Sequence, residues 1–293
     1  MNHPETGAPQ RADFRHAERL RVRWAEVDLQ KIVFNGHYLM YFDTAVAGWW
    51  RAMAMPYHET MEAFQGDFYV RKATVEYEAS ARYDDQIEVG IRCAHLGRSS
   101  MRLQAAVFRD ARRLVHGELV YVFADPSTQR AKAIPSPLRD WFEAFEAGAS
   151  MVQVQLGAWE VVGCEAQRLR HAVFTQEQGI AAALDQDGAD AGALHAIARN
   201  RLGFAVGTAR LLPANAGQAR IGRMAVMAGL RGGRVGRQML DALVDAARAR
   251  GDREVSLHAQ ASAVGFYARA GFERRGAPFV AAGIEHQEMV RRL

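Results

Sequence analysis

Cysteine is nearly absent. The 293-residue chain has two, Cys93 and Cys164, far apart and with no C-x-x-C spacing. A disulfide-stapled scaffold and a cysteine metal site are excluded, so no metal cofactor is expected. Inert thiols in a reducing compartment fit better, which gives a cytoplasmic protein as the expectation. Long apolar runs are also missing. No stretch approaches the roughly 18 apolar residues of a membrane span, and the opening MNHPETGAPQRADFRHAER has no signal-like apolar core. Residues 1–16 read as a mostly loose tail, and no membrane partner is expected. A strong charge excess is lacking too: the net charge is +4 and the pI about 9.3, with the arginines spread along the chain. That argues against nucleic acid as a partner and suits a small anionic ligand. There is no internal repeat and no low-complexity segment. What is present is ordinary globular material, 49% hydrophobic and 24% charged, long enough for two domains of roughly 150 residues each.

The pattern changes midway. Tyr38, Tyr41, Phe42, Ala45, Val46, Trp49 and Met53 recur at helical spacing and predict one long helix with a thick apolar face. Alternation follows: Val75 and Tyr77, Ile87 to Ile91, Met101 to Val107, and Leu119 to Phe123. Turn residues at Asp84-Asp85, Gly97-Arg98, Asp110-Ala111-Arg112 and Asp125-Pro126 separate these runs. This is an antiparallel sheet packed on one helix. Residues 143–153 read as a helix end and a linker. Beyond them helix and strand patterns mix: helices near 163–175, 234–250 and 262–270, and strands near 194–200, 204–212, 219–227, 254–259 and 284–291. The expected class is α+β with two domains, 17–145 and 153–293.

The stretch LRGGRVGRQMLDALVDAARARG, 230–251, places glycines and arginines between a strand and a helix that ends at Gly251. Glycines let successive amides converge, and a helix N-terminus adds partial positive charge. The loop lacks the Lys-Ser/Thr of an ATP-binding P-loop and the G-x-G-x-x-G of a dinucleotide fold. On its own it fits a tight turn with solvated arginines as well as an anion cradle. With IGRMAVM before it and SAVGFYARAGF (262–272) after it, the region about 150–293 resembles the GNAT superfamily of N-acetyltransferases. Smaller matches are VFTQEQGI, LHAQASAVGFY and AAGIEHQEM. The resemblance implies a mixed αβ fold and acetyl transfer from acetyl-CoA to an amine. Met224, Ala225 and Val226 would lie along pantetheine and the thioester. Arg231, Gly232, Gly233, Arg234, Val235, Gly236 and Arg237 would hold the pyrophosphate, and Tyr267 would protonate the departing thiolate. Glu177, Asp185, Asp187 and His195 fall where the acceptor pocket and its base are expected. His258 and His286 also match the pattern.

Near the N-terminus, VRWAEVDLQKIVFNGHYLMYFD (22–43) sets Asp28 in a turn before the long helix, with a strand expected to end at Asp28. A capping or solvated carboxylate is one reading. Together with VEYEASARYDDQIEV, LGRSS, LVHGELVYVFAD and IPSPLRDWF, the region about 17–142 resembles the hotdog-fold acyl-CoA thioesterases of the 4-hydroxybenzoyl-CoA thioesterase type. That resemblance implies an antiparallel sheet around a long helix. Asp28 would be the catalytic carboxylate, and the backbone amide near Asn35 would polarise the thioester carbonyl. A homodimer or tetramer is implied, with sites at the subunit boundary. Lys31 stands where the family often has glycine, and Asn35 where many members have histidine or tyrosine. Glu78 and Ser99–Ser100 are secondary candidates. Trp49, Trp50, Phe64, Phe68 and Tyr69 are read as lining for an acyl group. The expectation is a bifunctional enzyme using acyl-CoA, acetyl-CoA and an amine. The alternatives are a thioesterase with a CoA-sensing second domain and, further off, an ATP-binding protein.

Overall fold

The computed structural model describes residues 9–213 and 217–293. The chain divides between Met151 and Val152 into two compact units, and each is taken by itself.

The first unit contains β1 (His16–Arg21), α1 (His37–Ala52), α2 (Tyr57–Ala63), β2 (Asp67–Tyr77), β3 (Gln86–Leu96), β4 (Ser100–Arg109), β5 (Arg112–Ala124) and α3 (Ser136–Glu146). Its sheet has the order β1-β3-β4-β5-β2, and every neighbouring pair is antiparallel. The long helix falls where its 3.6-residue pattern predicts. Its buried side, including Tyr38, Phe42, Ala45 and Trp49, faces the sheet. Gly48 lets α1 approach β1, because a Cβ there would overlap the Glu18 carboxylate. The helix stops at Ala54, which takes a left-handed φ of 55°, just before Pro56. Trp49 and Trp50 are packed ring against ring with Phe142, Phe145 and Phe68. Burying a ring of this size contributes roughly 1.5–3 kcal/mol.

Several expectations need correction here. β1 ends at Arg21, not Asp28, because a 3₁₀ turn at Trp24–Glu26 intervenes. The described part of the expected tail is not loose. Phe14 is buried against Ala106 and Phe108, and Arg11 pairs with Glu88 at 2.6 Å. Residues 1–8 lie outside the described residues. Trp49, Trp50 and Phe68 fill the core instead of an open channel.

The second unit contains β6 (Val152–Gly157), α4 (Trp159–Arg170), α5 (Ala182–Asp185), β7 (Leu194–Asn200), β8 (Ala205–Pro213), β9 (Gln218–Val226), α6 (Val235–Arg250), β10 (Glu254–Gln260), α7 (Val264–Arg269), β11 (Glu273–Ala281) and β12 (Ile284–Arg292). β6 begins where a linker was expected, and β11 was not anticipated. Its exposed, Arg-rich sequence hides a strand signal. The helix expected near 163–175 starts at Trp159 and passes into a π-helical stretch, His171–Glu177. The sheet order is β11-β12-β10-β9-β8-β7-β6, with β9 and β10 its parallel pair.

That pair is joined for four residues only, from Gln218↔Glu254 to Ile221↔Leu257. β9 then stays with β8, while β10 stays with β12. The two central strands therefore splay. β9 also carries a bulge: Gly222 faces Arg210 and Ala225 faces Thr208, so Arg223 and Met224 stand opposite Ala209 alone. Arg223 takes a left-handed φ of 51° there. α6 packs against β8 and β9 through Val235, Met239, Leu243 and Ala247, and Gly251 caps it at a φ of 91°.

Candidate functional site

In the first unit, residues 26–34 form a tight hairpin. The Phe34 amide donates to the Glu26 carbonyl (2.9 Å), Val27 bridges Val33, and the Asp28 amide donates to the Ile32 carbonyl (2.9 Å). The hairpin tip puts Lys31 at a φ of 61°. This explains why glycine suits the position: a side chain there is strained by about 1–2 kcal/mol. The half-buried Asp28 carboxylate accepts from the Gln30 amide at 2.8 Å, an Asx turn that fixes its direction. Asn35 is exposed, and its carbonyl accepts from the Tyr77 hydroxyl at 3.2 Å. Among the described residues the amides of Asn35 and Gly36 donate to no protein group, so the start of α1 presents free donors.

The hairpin rests on Glu26, to which the sequence reading gave no role. This carboxylate is buried and accepts from the Tyr41 hydroxyl (2.8 Å) and from the Arg23 amide and Nε (2.7 Å each). Burial opposes its charge, but those hydrogen bonds outweigh it and hold the carboxyl below its ordinary range. Only the adjacency of two acids in W-A-E-V-D hinted at it. Around the hairpin stand exposed apolar side chains: Leu29 (102%), Trp24 (74%), Phe34 (51%), Tyr77 and Tyr83. Glu78 is engaged with Arg113 at 2.7 Å and with His116. Ser99 and Ser100 tie the β3–β4 turn through their carbonyls.

In the second unit, the splay opens onto a cavity of about 500 Å³. Met224, Tyr267 and Ala263 line it, with Arg220, His258 and His286 elsewhere on its wall. Tyr267 is only 8% exposed, and its hydroxyl donates to Met224 Sδ at 3.5 Å. Burial pushes its pKa up to about 12 and keeps the proton on oxygen. Ala225 and Val226 continue β9 along β8, opposite Thr208 and Gly207. Their other flank has lost β10.

The loop before α6 leaves backbone donors unused. Among the described residues the amides of Gly232, Arg234, Val235, Gly236 and Arg237 donate to no protein acceptor, whereas those of Arg231 and Gly233 bond Ala228 and Leu230. Arg234 takes a φ of 66°. The arginines are less free than the sequence suggests. Arg231 pairs with Glu177 (2.5 and 2.6 Å), and Arg237 with Asp241 (2.8 Å).

The acceptor-side acids are bound in a six-membered ion network. Arg170 holds Asp185 (2.8 Å) and Asp190 (2.9 Å). Arg210 holds Asp190 (2.7 Å) and Asp187, and Arg223 holds Asp185 and Asp187 (3.0 Å each). Hydrogen bonds from Arg210 keep the Asp187 carboxyl well below its ordinary range. The network pins the 185–190 loop and the strained bulge to the sheet. Asp185 and Asp187 line the cavity; Glu177 and His195 do not. His195 is buried, with Nε2 2.9 Å from the Asp190 carbonyl. Among the described residues no group of three or more His, Cys, Asp or Glu is placed to hold a metal, and no helix is long and apolar enough to cross a membrane.

Comparison with known proteins agrees with this division. Residues 22–142 match the Thioesterase-like superfamily, and residues 164–293 match the Acetyltransferase (GNAT) domain. An "Acyl-CoA thioester hydrolase YbgC" of Escherichia coli O6:H1 is 28% identical over 41% of this chain and 89% of its own length. A protein of Aquifex aeolicus named "Putative esterase" is 30% identical over 31% of this chain and 71% of its own. A solved structure from Lactobacillus plantarum described as "putative N-acetyltransferase" is 28% identical. It covers 49% of this chain and 99% of that one, with a TM-score of 0.47. The chain thus carries a thioesterase-like domain at residues 22–142, with a hotdog-type sheet and helix, and an acetyltransferase (GNAT) domain at residues 164–293.

Proposed function

We propose that the chain is a bifunctional cytoplasmic enzyme with domains 17–145 and 153–293. The first domain hydrolyses acyl-CoA thioesters, and the second transfers acetyl from acetyl-CoA to an amine. The observation that carries the reading is shared by both units: a helix start with uncommitted amides beside a group suited to thioester chemistry. In the first unit these are the Asn35 and Gly36 amides near Asp28. In the second they are the amides of residues 232 and 234–237, with Tyr267 on the cavity wall next to Met224.

In the first domain the Asn35 amide polarises the thioester carbonyl, and Asp28 attacks the acyl carbon or draws a proton from water. The exposed apolar rim of Leu29, Trp24 and Phe34 supports pairing with a second copy, so that a homo-oligomer, dimer or tetramer, completes the site. In the second domain Arg231, Gly232, Gly233, Arg234, Val235, Gly236 and Arg237 cradle the pyrophosphate, and Met224, Ala225 and Val226 guide pantetheine along the free flank of β9. The amine nitrogen attacks the thioester carbon, the C–S bond breaks, and Tyr267 gives its proton to the sulfur. The proton shed by the amine returns to Tyr267 through water. Asp187 is a poor base, because Arg210 and Arg223 stabilise its ionised form.

A panel of CoA esters of varied chain length is presented to the intact chain, and thiol release is followed with and without amines. Release from long or aromatic esters without amine, and from acetyl-CoA only with amine, upholds the reading. Acetyl-CoA binding that merely changes the hydrolysis rate favours a sensing second domain.

A further inference from the structure

Among the arginines on the cavity wall, Arg220 differs from the other two. Arg210 and Arg223 are held by the carboxylates of the ion network, whereas among the described residues no carboxylate oxygen lies within 4.0 Å of Arg220. The wall has three arginines against two aspartates. Arg170 and Asp190 behind it cancel, so Arg220 is the one wall arginine with no carboxylate in contact.

Its setting is ordered. Arg220 Nη2 lies 2.7 and 2.9 Å from the two ring nitrogens of His258. Phe279 meets His258 edge-on at 4.8 Å and stacks on His286 at 5.8 Å. His286 Nδ1 lies 2.8 Å from the Ile284 carbonyl and donates to it, so the ring packs against Phe279 without competing for Arg220. The nearby acid, Glu288, shares Arg275 with Glu254, at 2.6 and 2.8 Å, and reaches Arg220 only at longer range. The strand registers place Arg220, His258, Gln260 and His286 on one face of the sheet. Burial and Arg220 lower the His258 pKa, so this histidine does not compete for an anion as a second fixed charge. Arg220 precedes Met224 by four residues on β9, a span on the order of 10 Å. Between the two ends the wall carries Leu212 and Gly222 beside the mutually paired Arg210, Asp187 and Arg223.

We propose that Arg220, held in place by His258, binds a carboxylate of the acceptor, so that the acetylated amine belongs to a molecule carrying an anionic group several methylenes away. This deepens, and rests on, the reading of the second unit as an amine acetyltransferase. The chemistry is unchanged: a C–N bond forms, the C–S bond breaks, and the sulfur takes the Tyr267 proton. An exposed carboxylate pays little to enter such a site, and a charge-assisted pair with a guanidinium is directional.

Acetyl transfer to 6-aminohexanoate and to hexylamine is measured with the intact chain and with Arg220→Gln, and both amines are titrated calorimetrically in the presence of CoA. Arg220 is exposed, so the variant keeps its fold. The expected result is a KM roughly tenfold lower for 6-aminohexanoate. Arg220→Gln erases this preference through KM, with kcat and the hexylamine values unchanged. Equal KM for the two amines in the unaltered chain, or a preference that survives the substitution, overturns the proposal. Should neither amine be acetylated, the reading of the activity falls, and the titration decides the subsite alone. Tighter binding of 6-aminohexanoate that Arg220→Gln abolishes upholds it, and equal binding overturns it.

Discussion

The two units place their candidate groups in opposite surroundings. Tyr267 stands on the wall of a cavity of about 500 Å³ and is 8% exposed. Asp28 sits on a hairpin whose neighbour Leu29 is fully exposed and whose flanks show Trp24, Phe34 and Tyr83 to solvent. A pocket built within one chain can shift a proton affinity by burial, and Tyr267 shows this. Asp28 stands instead on an open hairpin. Its direction is set by backbone hydrogen bonds, and the exposed apolar rim leaves desolvation to whatever covers it. The enclosed site therefore depends on its own packing, whereas the open one depends on a stiff support, which Glu26 supplies from below.

The contrast can be broken at four places. The largest effect is expected from Asp28→Asn. Thioester hydrolysis should fall by about 10³-fold or more, while calorimetry shows unchanged acetyl-CoA binding. Normal hydrolysis by this variant removes Asp28 from the chemistry. Tyr267→Phe should lower acetyl transfer roughly 10²–10⁴-fold and leave hydrolysis alone. Because the acid form is the active one and its pKa is raised to about 12, kcat/KM for transfer should show no descending limb from this group below about pH 10. A loss of activity between pH 8 and 9 that vanishes in the variant would contradict the assignment.

Arg210→Met should destabilise the second unit by about 1.5–3 kcal/mol, since it leaves Asp187 to Arg223 alone and Asp190 to Arg170 alone. The pH dependence follows from the sign of the shift. Asp187 and Asp190 have folded pKa values below the unfolded value of about 3.9, so the network's contribution is complete above that pH and is lost as the pH falls. Melts recorded between pH 5 and 2 should show a steeper loss in the unaltered chain than in Asp187→Asn. The smallest effect belongs to Lys31→Gly. Releasing the left-handed strain, offset by glycine's greater freedom when unfolded, should stabilise the first unit by about 0.5–1 kcal/mol in urea titrations, with hydrolysis retained.

Where one side of an element meets solvent and the other meets core, the sequence was easy to read. α1 and α6 lie within a residue or two of their periodic patterns; β7 to β10, two of them buried on both faces, lie within a residue of the strands expected there. Elements with little buried surface were missed. β11 is exposed along nearly its whole length, and β6 has a single buried residue. β1 ended early because Arg23 and Glu26 close a 3₁₀ turn that mimics strand alternation. The glycine-rich loop and Asp28 stood out through local chemistry. The Arg170–Arg210–Arg223 network did not, because its six members are brought together only by two strands, two helices and a loop. The arginines around the loop illustrate the same limit: their number was visible, but not that Glu177 and Asp241 occupy two of them.

The early parting of β9 from β10 has a topological consequence. A sheet that is open along its midline can be entered from both sides, unlike a pocket at its rim. On the proposed chemistry, the acyl carrier and the amine approach the gap from opposite surfaces and never have to pass each other. Neither one blocks the other's exit, so the backbone itself imposes no fixed sequence of arrival, and steady-state patterns should show a ternary complex reachable by either route.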